Sequence, residues 1–440
     1  MEVQVETPGG LVRALRVSIP SERVERAVDE RIRKLAGRVR IAGFRPGKAP
    51  LKVVQSQYAD AARSEVISDL VRGTYPEAIG KAGVNPASAP SFEITGEKPG
   101  APLEYTARFE VYPEIKLKGL DKLKVEKPVV TVTDVDIEKL IESMRKTRRS
   151  FVPVSRAAQS GDTVKVDFEG KLNGEAFSGG KGEGVEVEIG AGRMLPDLDN
   201  SFIGKSVGDV YSVDVKFQDD YRAENLKGKT AQFEVKVWQV SEPKLPEIDA
   251  EFLKAHKVDE AAGAQGLRDK CRTALEAERD KALKNRIKTQ VLDQLLVSNP
   301  IEVPQAMAQQ EIGRLREETA ARFNAAKLKA DQLQKMIPDE VLAPNAQKRV
   351  ALGLLIGEVI KTKQIQLDAA RVQTLLDSIA ADYEQPEQVK QFYRGRQDLM
   401  QGVHAMVLEE QVVETLIAGT TPTEKTLTLD ELLNPPTQNP

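Results

Sequence analysis

The sequence predicts a multidomain α+β protein, with an N-terminal α+β unit, an antiparallel β domain with a short helix, and an all-α C-terminal region. Three observations predict this order. The chain has 440 residues, which is more than one ordinary domain holds. Short alternating runs of apolar and polar residues, separated by glycines, fill residues 161–240. After residue 248 the apolar positions follow helical spacing almost throughout.

The first unit, residues 1–115, opens with a strand and a basic helix. Residues 11–20 alternate apolar and polar side chains, which predicts the strand. Ser21 precedes acidic residues in the next turn and is therefore predicted to cap a helix whose apolar positions run to Leu35. The remaining elements of the unit are a second helix over about 51–82, with a break near 73–76, and strands over 91–96 and 103–111.

Residues 116–150 are predicted to be a linker that contains one helix. Thr133 is its expected cap, and Ile137 and Ile141 share one face. A single helix cannot bury an apolar face by itself. We therefore expect the helix, at about 134–149, to pack against the C-terminal helices.

The β domain is predicted to occupy residues 151–243, and the helical region with a disordered tail residues 244–440. The glycine-rich run 179–184 lacks the Gly-Lys-Ser/Thr ending of a phosphate-binding loop, so a surface loop is predicted there. Residues 242–246 contain two prolines and predict a stiff linker. Strands are expected at 163–170, 185–189, 211–215 and 231–237, and helices at about 265–297, 304–326, 345–363, 368–383 and 396–417.

Several function classes are disfavoured by composition. The single cysteine, Cys271, cannot form an intramolecular disulfide, and two histidines far apart in sequence predict no metal cluster. We expect no cofactor. The N-terminus carries no basic segment followed by an apolar run, and no stretch approaches the roughly 18 apolar residues that span a bilayer. These features predict a cytoplasmic protein without a membrane partner.

A local basic segment stands out in a chain whose net charge is −3. Residues 21–52 contain ten Lys and Arg against four Asp and Glu, which favours an anionic partner such as structured RNA. Within it, glycines and prolines punctuate residues 43–50 and predict a turn that presents Phe44 beside Arg45 and Lys48. The alternative is an ordinary helical hairpin with Phe44 buried beneath it.

The same turn resembles the ribosome-docking signature of the bacterial trigger factor family, Gly-Phe-Arg-x-Gly-Lys-x-Pro, at every fixed position. A common variant of the family has Lys where this chain has Pro46, so a cation is absent and the loop is stiffer. The order of the three regions and the segment 424–433 also resemble the family. The resemblance implies docking near the polypeptide exit of the large ribosomal subunit through Gly43, Phe44, Arg45, Pro46, Gly47 and Lys48.

The β domain resembles the FKBP-type peptidyl-prolyl isomerases over four stretches, 161–170, 173–177, 192–196 and 226–235. Such enzymes need no nucleophile, metal or cofactor. The barrier to X-Pro rotation is roughly 20 kcal/mol, and a dry pocket that favours the twisted amide lowers it. The resemblance implies that Tyr221 hydrogen-bonds a substrate carbonyl and that the pocket walls are Phe168, Phe177, Met194, Leu195, Leu198, Phe217, Tyr221, Leu226 and Phe233.

Three positions depart from the isomerase pattern. Leu198 stands where the family usually has an aromatic floor, Val185 replaces another frequent aromatic residue, and Ser178 replaces a usual acidic residue. A smaller floor grips a proline ring over less area. These departures point to the same fold with a weakened activity.

The helical region predicts a polypeptide-binding surface, because helices apolar on more than one face leave apolar grooves unless they pack together. The family resemblance implies ATP-independent capture of nascent and unfolded polypeptides, and it leaves room for a homodimer of the free protein. Two alternatives stay open: a dedicated prolyl isomerase whose helices position substrates, and an RNA-binding protein that uses residues 21–52. The candidate apolar residues are Met307, Leu315, Phe323, Met336, Ile337, Leu342, Leu354, Tyr383, Phe392, Tyr393, Met400 and Met406.

Overall fold

The computed structural model has the predicted multidomain α+β architecture. Its contacts divide the chain into two compact units. The first combines Met1–Lys127 with Asn285–Lys425, and the second combines Pro128–Lys284 with the segment from Thr426 onward. The residues that the structure describes are 1–42, 44, 48–221, 223–224, 226–323, 330–381 and 383–435.

The N-terminal part of the first unit is a four-stranded antiparallel sheet covered on one face by two helices. Leu15, Val17 and Ile19 point from the sheet into this core because alternate residues of a strand face the same side. The sheet order is β1-β2-β4-β3. The elements are β1 Glu2–Gly9, β2 Val12–Ile19, α1 Ser21–Ala36, α2 Leu51–Ala82, β3 Ser91–Gly96 and β4 Leu103–Glu110.

Two details of these helices differ from the prediction. Ser21 is the first residue of α1, and the capping position belongs to Pro20, which has no side-chain hydrogen bond to offer. The predicted cap was therefore wrong. Helix α2 is 32 residues long and contains Pro76 without interruption, so the predicted break near 73–76 is absent.

The linker holds strand β5, Glu126–Val129, and helix α3, Asp134–Thr147. Thr133 and Asp136 form a capping box at its start: each side chain bonds the other's backbone N–H. Ile137 and Ile141 are buried in a cluster with Leu267 and Leu429. Helix α3 thus shares a core with residues far along the chain.

The β domain is a five-stranded antiparallel sheet ordered β6-β10-β7-β8, with β9 also paired to β10. Two predictions here were wrong. The run 179–184 lies inside a strand and not in a surface loop, and Pro243 of the predicted linker pairs with Phe151. The elements are β6 Ser150–Val154, β7 Thr163–Leu172, β8 Glu175–Glu188, α4 Pro196–Ser201, β9 Val210–Lys216 and β10 Thr230–Lys244.

Two polar clusters lie in this domain, one around a buried carboxylate and one on the sheet surface. Arg156 donates to both oxygens of buried Asp162 at 2.6 and 3.0 Å, and this pair holds the pKa of that carboxyl below its usual value. On the sheet surface the indole of Trp238 donates to Asp167 at 2.6 Å, and the Lys236 ammonium lies 3.7 Å from the ring centroid. Trp238 is the single tryptophan of the chain.

The remaining chain is mostly helical, and no described helix is long and apolar enough to cross a membrane. Its apolar residues are divided among several separate clusters. Strand β11 pairs with β5. The elements are α5 Ala250–Ala255, a 3₁₀ turn Glu260–Ala262, α6 Gly263–Ser298, α7 Gln305–Arg322, α8 Ala330–Met336, α9 Asp339–Lys363, α10 Ala369–Ala380, α11 Pro386–Arg394, α12 Gln397–Ala418, β11 Thr423–Thr426 and α13 Leu429–Leu433.

Helix α7 is capped by a residue from the N-terminal sheet. Glu110, at the end of β4, accepts hydrogen bonds from the backbone N–H groups of Gln305 at 3.1 Å and Ala306 at 2.9 Å. The preceding residue, Pro304, has no side chain able to do this. A carboxylate from elsewhere in the first unit therefore satisfies the helix N-terminus.

Candidate functional site

A pocket of about 360 Å³ opens in the β domain between the sheet and helix α4. Strands β7, β8 and β10 supply one wall, and the segments around α4 and after β9 supply the others. Its lining is mostly apolar and aromatic, which is typical of a site that binds a small apolar group. The lining residues are Phe168, Phe177, Gly179, Arg193, Met194, Leu195, Pro196, Leu198, Phe217, Gln218, Tyr221 and Phe233.

Five aromatic rings form a connected wall of this pocket. Phe177 meets Phe217 and Phe233 edge to face, with ring centroids 6.1 Å apart in each pair. Phe168 lies 6.1 Å from Phe233, and Phe217 lies 4.8 Å from Tyr221. Three of these four pairs are edge to face and the Phe168–Phe233 pair is tilted, and such packing restricts the rings to one arrangement before a ligand binds.

Glycines in the strands make room for these rings. A Cβ atom on Gly170 would lie 2.7 Å from the Phe233 ring, and one on Gly180 would lie 2.9 Å from the Phe177 ring. One on Gly182 would lie 2.7 Å from Phe168. The glycine-rich run thus forms a strand against which rings lie directly.

Eight of the nine residues predicted for the pocket line it. The exception is Leu226, which is 4% exposed and belongs to the domain core instead. Sequence reasoning missed Gly179, Arg193, Pro196 and Gln218. Arg193 and Pro196 lie inside the stretch 192–196, which resembles the isomerases. The resemblance therefore places both residues near the pocket, but it does not identify them as part of its lining.

The departures from the isomerase pattern have different outcomes. Leu198 lines the pocket and is 3% exposed, so an aliphatic side chain forms part of its floor. Val185 packs half-buried against the same core. The side chain of Ser178 lies outside the described residues.

Polar groups are few in this pocket. Neither Tyr221 nor Arg193 forms a side-chain hydrogen bond or ion pair with any other described residue. The phenol of Tyr221 is therefore available to donate to a ligand carbonyl. Among the described residues no group of three or more His, Cys, Asp or Glu could hold a metal ion.

The basic turn after α1 is described only in part. Phe44 is 40% exposed and Lys48 is exposed, whereas Gly43, Arg45, Pro46 and Gly47 lie outside the described residues. The predicted alternative, in which Phe44 is buried under a hairpin, is therefore wrong. The ring lies in the basic segment 21–52 and is accessible.

The helical part of the first unit has apolar residues both in shallow hollows beside α9 and as single exposed side chains. Gly353 and Leu354 of α9 line two hollows, one shared with Met307 and Val350 and the other with Tyr112, and charged side chains also line both. Of the twelve predicted apolar residues, Leu315, Ile337 and Leu342 are buried, and Met307, Leu354, Tyr393 and Met400 are half-buried. The exposed ones are Phe323, Met336, Tyr383, Phe392 and Met406.

Known proteins resemble the chain along its whole length. It is 45% identical to the trigger factor of Thioalkalivibrio sulfidiphilus over 99% of this chain and 98% of that protein. The chain belongs to the trigger factor family. It is 39% identical to the family member of Stutzerimonas stutzeri, again over 99% of this chain and 98% of the other. A solved structure of the trigger factor chaperone covers 95% of this chain and 99% of its own, at 20% identity and a TM-score of 0.49.

Family models match the separate regions. The bacterial trigger factor model matches residues 1–144, and the model of the trigger factor C-terminus matches residues 264–418. The model of FKBP-type peptidyl-prolyl cis-trans isomerases matches residues 154–238. Like its family, the protein is a chaperone of polypeptide folding and a peptidyl-prolyl cis-trans isomerase.

Proposed function

We propose that the aromatic pocket is the isomerase active site. The connected ring wall of Phe168, Phe177 and Phe233 carries this assignment, because it offers a dry, preformed surface for a proline ring. The X-Pro amide loses conjugation as it twists, and an apolar pocket favours the twisted amide over the planar one. Tyr221 donates a hydrogen bond to a substrate carbonyl from the rim.

Substitution of Phe233 tests this assignment. Phe233→Ala removes the ring that contacts both Phe168 and Phe177, and catalysis of a proline-limited refolding reaction should fall at least tenfold. Phe151→Ala is the matched control, since Phe151 is a 37% exposed ring of the same domain outside the pocket. Undiminished isomerase activity in a folded Phe233→Ala protein would contradict the assignment.

The protein is further proposed to work in the cytoplasm, docked on the large ribosomal subunit near the polypeptide exit. The exposed ring of Phe44 in the basic segment 21–52 supports this, because RNA phosphates and apolar protein groups meet on ribosome surfaces. The undescribed neighbours Gly43, Arg45, Pro46 and Gly47 belong to the same proposed contact, together with Lys48. In this role residues 1–115 are the docking domain.

Co-sedimentation with ribosomes tests the docking proposal. Phe44→Ala should lower the bound fraction several-fold, and Phe44→Ala with Lys48→Ala should lower it further. Phe92→Ala is the matched control, because Phe92 is 39% exposed on the same domain but lies on its sheet. Binding that is equal in all variants would remove the role of this turn.

Nascent polypeptides are proposed to bind the apolar surfaces of residues 244–440 without ATP. The exposed side chains of Phe323, Tyr383 and Phe392 support this, since each is more than half exposed and carries a large ring. Residues 116–150 link the docking part to the isomerase domain, 151–243. Capture on many weak apolar sites requires no nucleotide-driven step, because each contact is readily reversible.

The dedicated-isomerase alternative makes a different forecast for the Phe233→Ala protein. If the helices only position substrates, suppression of aggregation should fall together with isomerase activity. If they bind polypeptides themselves, a denatured test protein should stay protected while isomerase activity is lost. The RNA-binding alternative would be supported by affinity for free RNA that exceeds affinity for intact large subunits.

A further inference from the structure

The pocket has one charged side chain on its lining, Arg193, among the residues that the structure describes. It stands at the end of the loop that leads from β8 to α4 and is exposed to solvent. No described carboxylate pairs with it and no described backbone carbonyl accepts from it. None of the five guanidinium donors is therefore used by the part of the chain that the structure describes.

The rest of the lining is neutral. The other polar side chains are the amide of Gln218 and the phenol of Tyr221. Acidic residues lie nearby in the chain at Asp197, Asp219 and Asp220, but none of them lines the pocket. Asp197 already accepts a hydrogen bond from the backbone of Lys216. The charge met by a bound peptide at the pocket wall is thus positive.

We propose that Arg193 is a specificity-determining residue, which favours prolyl substrates with a carboxylate side chain next to the proline. This rests on the proposed assignment of the pocket as the active site. Once the proline ring fills the apolar interior, the residues joined to it must lie at the rim, where Arg193 stands. A guanidinium binds a carboxylate in a two-pronged geometry that a neutral or cationic side chain cannot match.

The expected effect is modest, because the ion pair forms at an exposed rim. Exposed pairs change equilibrium constants by about two- to fivefold. A substrate lysine next to the proline is repelled by Arg193, which increases the difference between glutamate and lysine substrates. The kcat/KM of the glutamate substrate should therefore exceed that of the lysine substrate about two- to fivefold. Salt should erase it, since the screening length falls from about 10 Å at 0.1 M to about 3 Å at 1 M.

The test uses the full chain and two series of proline tetrapeptides, with Glu, Gln or Lys either before or after the proline. The glutamate-to-lysine ratio should fall towards one in Arg193→Gln, invert in Arg193→Glu and persist in Arg193→Lys. Lys165→Gln is the matched control: Lys165 is exposed on β7 of the same domain, outside the pocket, and its loss changes the net charge equally.

Each result decides the proposal. A glutamate-to-lysine ratio that exceeds one in the natural protein in either series, falls in Arg193→Gln, inverts in Arg193→Glu and persists in both Arg193→Lys and Lys165→Gln supports it. A ratio of one or less in the natural protein in both series, a ratio unchanged by Arg193→Gln and Arg193→Glu, or an equal shift in Lys165→Gln overturns it. Phe233→Ala separates this failure from failure of the active-site assignment, because a fully active Phe233→Ala protein would place the active site elsewhere regardless of Arg193.

Discussion

The β domain and the helical part of the first unit use apolar residues in opposite ways. In the β domain one continuous core contains Val164, Phe202 and Val237, and five further rings converge on one pocket. In the helical part the core is divided among separate clusters, and large apolar side chains such as Phe392 remain more than half exposed. Both regions contain large apolar and aromatic side chains, but the β domain gathers them around one pocket and the helical part leaves them scattered on its surface.

The difference separates two kinds of recognition. A single pocket with a preformed wall of rings selects one small chemical group, because the rings are held in place by their neighbours. Scattered exposed side chains contact many different apolar segments, each weakly and without one required shape. A chaperone that also isomerises prolyl bonds needs both properties. In the function proposed above, the pocket of the β domain supplies the first property and the exposed side chains of the helical part supply the second.

The largest effect should follow from emptying the β core. Phe202 is fully buried and lies outside the pocket, so Phe202→Ala should destabilise the domain by about 4 kcal/mol. Denaturant titration followed by the fluorescence of Trp238, which reports on this domain alone, should show the loss. The helical transition followed by circular dichroism should stay in place. If both transitions move together, the two regions do not behave as separate units.

A smaller effect is expected from the ion pair between Arg156 and the buried carboxylate of Asp162. The carboxyl of Asp162 accepts from Arg156 and from the Gln159 backbone, so Asp162→Asn should cost about 2 kcal/mol at pH 7. Because the folded pKa of Asp162 is lowered, this stabilisation is full above about pH 4 and is lost as pH falls through the folded value. The mutant and the natural protein should thus converge in acid. Asp214→Asn, on an exposed position of β9, should change little at either pH.

A change of about 1 kcal/mol is expected where the N-terminal sheet caps helix α7. Glu110→Gln keeps the shape but removes the charge that faces the N–H groups of Gln305 and Ala306. In a denaturant titration, the unfolding transition of the helices followed by circular dichroism should move to lower denaturant concentration. The transition followed by Trp238 fluorescence should stay in place. Glu104→Gln, on the same strand but exposed on the outer sheet face, is the control. Equal effects of both substitutions would argue against a capping role.

The smallest effect on stability should accompany a clear effect on chaperone activity. Phe392 is 57% exposed, so Phe392→Ser should change the free energy of unfolding by less than about 0.5 kcal/mol. Suppression of aggregation of a denatured test protein should nonetheless weaken, and more so when Tyr383→Ser is added. Full protection by the double variant would show that these rings are ordinary surface residues. Isomerase activity on a short peptide should be unaffected.

Local signals in the sequence predicted most long elements. Helix α6 was expected at about 265–297 and lies at Gly263–Ser298, and Thr133 forms the expected cap of α3. Strand β1 was missed because most of its side chains are exposed, which leaves only Val3 and Val5 as an apolar signal. The short helices α8 and α11 were missed because a few turns carry too little periodicity.

The pocket was predicted mainly by resemblance, and the structure sorted its members. Spacing alone could not separate Leu226, which is in the core, from Phe233, which borders the pocket, since both are buried and apolar. The glycines of the run 179–184 predict a loop, because the sequence does not show that aromatic rings from elsewhere in the domain occupy the space beside them. Contacts between residues distant in sequence determine whether an apolar residue lies in the core or in the pocket, and whether a glycine run forms a loop or a strand.

The position of Cys271 bears on how the protein can be studied. Its thiol is 3% exposed, with the sulfur 3.7 Å from the sulfur of Met144, and burial raises its pKa. No other cysteine is present in the chain. The native protein should therefore react slowly with maleimides. A cysteine introduced at an exposed site such as Phe44 or Phe392 could carry a dye or cross-linker almost alone, without prior removal of the natural thiol.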